Sequence, residues 1–301
     1  MRKLLSYGVD PNVKDIDGRQ PLLWAASAGN TDSILALVNY GADIAGYDKD
    51  GLTAVHCAAS KGHNDCLNNL VTLCGADINK ADKNGCTALF YAVTLGHKQC
   101  TTTLLELGSY KNVKDRKGRT PAHGGAAKGQ LETIILLAKY KANLWIPNNK
   151  GNLPFHEAIA SGRLDLVKYF INVKTNAVSI ENGNGKMPIH IAAAFNNPEL
   201  SRILIESKAE VNPLWRSPGR KLLTPLDIAK KKGHKAVVKY LQLEGGLFGS
   251  DMVDVNTLKE LFRIYIFLEI SFLFSFFCLH KLVFSSSFSV YIKRRPLKII
   301  K

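Results

Sequence analysis

The chain has 301 residues, 46% apolar and 22% charged, which is enough to bury a sizeable core and too apolar for a disordered polymer. Its formal charge of +15 at pH 7 favours acidic partners without choosing among protein, nucleic acid and anionic membrane. The opening residues, MRKLLSYGVDPNVKD, lack the apolar core and cleavage site of a secretory signal, and five of six cysteines crowd between Cys57 and Cys100, so a reduced, cytoplasmic setting is expected.

In chain order, residues 1–16 read as the end of a unit, because YGVDPNVKD at 7–15 matches YGADIAGYD at 40–48. This partial N-terminal repeat places Leu4 and Leu5 on a bare end. Two readings stay open: a fragment of a longer protein, or a first helix serving as a makeshift cap. Residues 17–245 then repeat themselves. Gly18, Gly51, Gly85, Gly118, Gly151 and Gly185 are spaced by 33, 34, 33, 33 and 34 residues. A second ruler through Pro21, Ala54, Ala88, Pro121, Pro154, Pro188 and Pro225 keeps step until its last interval of 37. Fixed periods of this kind mean stacked supersecondary units. Each unit has one grammar: a polar turn with Gly, a Thr N-cap before Pro or Ala, and a short Ala-rich helix. A stopping glycine follows, as at Gly62, Gly96, Gly129 and Gly162, and then a second helix with apolar residues at helical spacing.

These residues, with TAVHCAASKGH in one unit, TPLDIAKKKGH in the last and the GADIN end at 75–79, resemble the ankyrin-repeat family over residues 1–245. The resemblance implies an all-α solenoid of about seven repeats, each a pair of antiparallel helices with a projecting β-hairpin. It also implies that His56, His123, His156 and His190 brace their turns by bonding the Thr hydroxyl and nearby backbone. In such a fold the small alanines let inner helices approach closely, and bulky outer-helix residues fill the space between layers.

Three places break the pattern. Gly124 and Gly125 stand inside a first helix, where each costs about 1 kcal/mol against Ala, so this unit is expected to be soft. The insertion NPLWRSPGRKLL at 212–223 reads as an extended loop, with Trp215 either at a contact element or tucked onto the solenoid. From 246 to 301 the grammar ends in a hydrophobic, Phe-rich tail holding, within 261–292, eight of the thirteen phenylalanines. The apolar run Ile264–Leu279 is sixteen residues long and interrupted by Glu269, short of the ~20 a membrane helix needs. Membrane anchor, non-native terminus and packed helix all stay open for it.

His56, Cys57, His63 and Cys66 have the look of zinc ligands, but Cys66 returns as Cys100 and His63 as His97 with the repeat period, and neighbours on a helix diverge by about 100°. No metal site, cofactor or catalytic motif is expected, and the chain reads as non-enzymatic. The resemblance instead implies a protein-binding surface on hairpin tips and inner-helix ends. The tips supply Lys49, Leu52, Lys83, Cys86, Arg116, Lys117, Arg119, Asn149, Lys150, Asn152 and Lys186. The helix ends supply Ser60, Lys61, Thr94, Leu95, Lys128, Phe195, Lys231 and Lys232. Basic residues dominate, which points to a scaffold or adaptor binding an acidic, extended protein segment. Small-molecule substrates are not expected and nucleic acid is disfavoured. The alternative is the cytosolic part of a membrane-anchored or channel-type protein.

Overall fold

The computed structural model describes residues 2–219 and 221–252. The repeats lie in one compact unit, Met1–Phe248; of a second, Gly249–Lys301, only 249–252 are described. Among the described residues no helix is long and apolar enough to cross a membrane. The segment 261–292, on which a membrane reading would rest, lies outside them.

Among the described residues a short helix α1 (Arg2–Ser6) precedes seven helix pairs. The inner helices are α2 (Pro21–Ser27), α4 (Ala54–Lys61), α6 (Ala88–Leu95), α8 (Pro121–Lys128), α10 (Pro154–Ser161), α12 (Pro188–Ala193) and α14 (Pro225–Lys232). The outer ones are α3 (Thr31–Asn39), α5 (Asn64–Thr72), α7 (Lys98–Glu106), α9 (Leu131–Lys139), α11 (Leu164–Val173), α13 (Pro198–Glu206) and α15 (Lys235–Leu243). Inner helices stack on inner and outer on outer, with α1 against α3. At that first layer Leu5 turns into the core and Leu4 stays exposed.

The layers close because small and large residues alternate. Ala26, Ala58, Ala59, Ala92, Ala158, Ala192 and Ala193 are fully buried, as are Leu67, Leu70, Leu104, Ile134, Leu137 and Phe170 of the outer helices. Cys66 and Cys100 occupy the same buried outer-helix slot as small hydrophobes. Burial raises the Cys100 thiol to about 11 and Cys86 to about 12.

Gly124 and Gly125 leave room that their neighbours fill. A Cβ on Gly124 would lie 2.0 Å from Thr94 Oγ1, and one on Gly125 2.8 Å from Val93 Cγ1. Both are buried, so α8 uses bare backbone to approach α6. The helix-propensity loss is offset by close packing.

The expected hairpins are mostly tight turns. Regular strands occur only, among the described residues, in the 212–223 insertion, where β1 (Trp215–Arg216) pairs antiparallel with β2 (Leu222–Leu223). Trp215 is tucked down: its Nε1 donates to the Asn184 carbonyl at 2.7 Å. Between α11 and α12 a 3-10 helix, Thr175–Ser179, replaces the usual link and buries Ala177 and Val178.

Inner helices other than α12, whose C-cap Ala194 is right-handed, are followed by a left-handed glycine, for example Gly62 at φ 78° and Gly162 at φ 73°. At Gly62 a second demand is added, because a Cβ would fall 2.6 Å from Nδ1 of His97 in the next repeat, whereas at Gly162 nothing lies within 4 Å. Gly62→Ala and Gly162→Ala therefore share a backbone strain of about 1–2 kcal/mol, and Gly62→Ala alone adds a clash. Urea titration should place the Gly62→Ala midpoint below that of Gly162→Ala; equal midpoints would disprove the clash.

Candidate partner-binding surface

Each tip is built on one Asx residue three places before the turn glycine. Asp48 Oδ1 accepts the amides of Asp50 and Leu52, both at 3.0 Å. Asp82 does the same for Asn84 and Cys86, Asp115 for Lys117 and Arg119, Asn148 for Lys150 and Asn152, and Asn182 for Asn184 and Lys186. Side-chain acceptors that take the free amides two and four residues on hold a turn rigid. Neighbouring tips are tied by a backbone ladder: Lys49 N to Asp17 O, Lys83 N to Asp50 O, Arg116 N to Asn84 O and Asn149 N to Lys117 O, at 2.8–3.1 Å.

The second Asx atom needs a partner too, and the chain supplies it from the inner helix nine residues on. Trp24 Nε1 donates to Asp15 Oδ2 at 3.0 Å and Tyr91 Oη to Asp82 Oδ2 at 2.7 Å. Where the Asx residue is Asn148, which donates instead, Glu157 accepts at 3.4 Å. Where that slot holds Cys57 or Gly124, an arginine serves: Arg19 reaches Asp48 at 3.3 Å and Arg119 reaches Asp115 at 2.7 Å. These pairings were missed in the sequence, although the nine-residue interval is visible there.

Histidine joins four of the turns to the next repeat. Nδ1 of His56, His123, His156 and His190 accepts the N-cap amide of its own helix at 2.9–3.2 Å. Thr53 and Thr120 add a hydroxyl donor at 2.9 and 3.0 Å; Leu153 and Met187 have none to add. Nε2 faces a carbonyl one repeat on: Cys86, Asn152, Ile180 and Pro213, at 2.9–3.1 Å. An amide donor at Nδ1 and a carbonyl at Nε2 fix the neutral Nε2–H tautomer. Burial pushes all four below the usual histidine range, His190 to about 4. His63 is engaged likewise, its Nε2 3.1 Å from the Ser27 carbonyl. With both nitrogens of His56 bonded, the four ligand-like residues of that unit serve the stack, and among the described residues no metal-type cluster forms.

The structure sorts the expected binding residues. Lys49, Lys83, Arg116, Lys117, Asn149 and Lys150 are exposed on the tips, and Lys61, Leu95, Lys128 and Phe195 on the helix ends. Leu52, Asn152 and Lys186 are half-buried, and Cys86 is buried. Arg119 is half-buried, ion-paired to Asp115 and 5.4 Å over the Phe90 ring, so it supports the turn more than it presents charge. Lys49 pairs with Asp17. The exposed aromatic Trp24, 52% accessible, was not anticipated.

The family described as ankyrin repeats (3 copies) has a model that matches residues 1–82, 59–148, 107–178 and 155–250. Alpha-latrotoxin-Lg1a of Latrodectus geometricus is 25% identical over 151 residues, 50% of this chain. The match spans only 11% of that toxin's length. The crystal structure of the human ASB11 ankyrin repeat domain superposes with a TM-score of 0.65 at 26% identity, covering 76% of this chain and 99% of that domain.

The buried imidazoles set an acid response. With a folded value near 4 and an unfolded one of 6.5, His190 leaves the unfolded state binding more protons below pH 6.5. Stability is full above pH 6.5 and falls as pH drops towards 4, by on the order of 3 kcal/mol for this residue. His190→Gln should lower the denaturation midpoint at pH 7 and flatten its decline between those values; an unchanged slope would count against the buried neutral imidazole.

Proposed function

We propose, from the premise that this chain belongs to the ankyrin-repeat family, that it is a non-enzymatic scaffold holding an acidic, extended protein segment along its tips and inner-helix ends. Ankyrin repeats in general mediate protein–protein interaction. The observation that carries the finer reading is the row of exposed basic side chains, Lys83, Arg116, Lys117 and Lys150, on backbones locked to one another by the tip ladder. Among the described residues none of these four forms an ion pair. Charges presented on rigid supports attract and align an oppositely charged chain with little ordering cost. Leu95 and Phe195 interrupt the basic row and supply apolar contacts at the helix ends.

The reading carries with it a reducing, cytoplasmic setting, supported by the free thiols of Cys57, Cys66, Cys74, Cys86 and Cys100. The turn geometry gives a reason to leave Arg119 out of the contact set and to keep Arg116 and Lys117 in it.

Binding of a labelled Glu-rich peptide to the full chain, measured by anisotropy, should be detectable at low salt and decline steeply as salt rises. A Lys-rich peptide should not bind. Arg116→Glu with Lys117→Glu should weaken the Glu-rich peptide about fivefold and reduce the salt slope, with the thermal midpoint unmoved, since both side chains project into solvent. Equal binding of the two peptides would overturn the reading.

A further inference from the structure

The basic side chains are not equivalent along the solenoid. Towards the N-terminus much of the charge is answered internally, Lys49 by Asp17, Arg19 by Asp48 and Arg119 by Asp115. Arg163 and Arg202 are answered too, by Asp165 and by Glu199 and Glu206, but the last inner helix is not. Helix α14 ends in Lys230, Lys231 and Lys232, all exposed, and none forms an ion pair among the described residues. Lys186 precedes α12, the inner helix that packs against α14, and belongs with them: partial burial, and after it the nearby Lys232 charge, lower its pKa from the usual lysine value.

Two of these four lysines, Lys186 and Lys230, stand on aromatic rings. The Lys186 ammonium sits 4.1 Å from the centre of the Trp215 ring. Trp215 is itself pinned by its bond to the Asn184 carbonyl and lies within 6.5 Å of the buried His190 ring. Lys230 stands 4.4 Å over Phe248. A ring face steadies an ammonium without using its hydrogen-bond donors, so these lysines are oriented and still able to bind anions. On the adjoining inner helix, α12, Phe195 follows the last turn and is 39% exposed. Like charges gathered on rigid supports repel one another, and an anion placed among them relieves that repulsion.

We infer that Lys186, Lys232, Phe195 and the Trp215 platform form the principal anchoring site for an acidic segment of a protein partner, one that carries an apolar side chain among its carboxylates. The carboxylates bridge Lys186 and Lys232, and the apolar side chain lies on Phe195. The tips from Lys83 to Lys150 then guide the rest of the segment through their field. The site rests on the reading of this surface as one for acidic protein segments and says where that recognition is concentrated.

The test compares two matched neutralisations in the full chain, Lys186→Gln with Lys232→Gln against Arg116→Gln with Lys117→Gln. The probe is a labelled Glu-rich peptide with one central Leu. The first pair should weaken binding about tenfold or more, as desolvated charge contacts do, and the second less than about threefold, as screened surface charges do. Phe195→Ser should weaken the Leu-containing peptide and leave an all-Glu peptide unaffected. Trp215→Phe should abolish any change in intrinsic fluorescence on peptide addition. Lys232→Gln alone, at an exposed helix end, keeps the comparison interpretable should Lys186→Gln unfold. If the wild-type chain binds and the central pair proves the stronger determinant, the anchoring site is wrong and the scaffold reading survives. If the wild-type chain binds no Glu-rich peptide at low salt, both fall. Tighter binding of a single-stranded oligonucleotide through the same lysines would overturn the choice of partner.

Discussion

The stack depends on a buried, neutral imidazole that faces two repeats at once. Its Nδ1 takes the amide that opens its own inner helix, and its Nε2–H reaches a carbonyl of the following unit. A single repeat cannot satisfy either its apolar face or this donor, so each unit is complete only when the next is in place. Where histidine is absent the N-cap is served otherwise: Asp227 accepts the Thr224 amide at 2.9 Å in the place of Nδ1, and Thr87 Oγ1 caps its own helix by accepting from Phe90 N at 3.4 Å.

The same logic governs the surface. A tip presents charge outward because its Asx residue is saturated inward by two amides and a complementary partner. That partner decides which basic residues remain available to a ligand. Arg119 and Arg116 are three residues apart in sequence, and only Arg116 is left to meet solvent, since Arg119 completes Asp115. What a tip shows to solvent is the remainder after the turns have taken what they need.

Much of this was legible in the sequence. The two rulers through the turn glycines and the helix-opening prolines fixed the period, the helix pairs and the caps, because caps and left-handed turns demand particular residues. Exposure of Lys49, Lys83, Arg116, Lys117, Asn149 and Lys150 followed from that register, whereas the burial of Cys86 did not. Two features were not legible. Gly124 and Gly125 read as weakness because propensity is a local quantity, and the Thr94 and Val93 side chains that need the space lie 30 and 32 residues away. The difference between an answered and an unanswered lysine likewise depends on which acid the next unit brings alongside. The regularity of the repeat conceals both, since it averages over the side chains that vary.

The bare backbone at Gly124–Gly125 also bears on how freely the units can be reordered. Repeat arrays invite the view that one module can be exchanged for another. The fourth inner helix does not travel: its neighbours have grown to fill the room its missing side chains leave, with Val93 and Ile134 pressed against Gly125. A helix borrowed from another unit would bring Ala158 or Ala192 chemistry into space already occupied. The array is thus serial rather than modular at its centre, with a unit whose identity is written partly in the residues on either side of it.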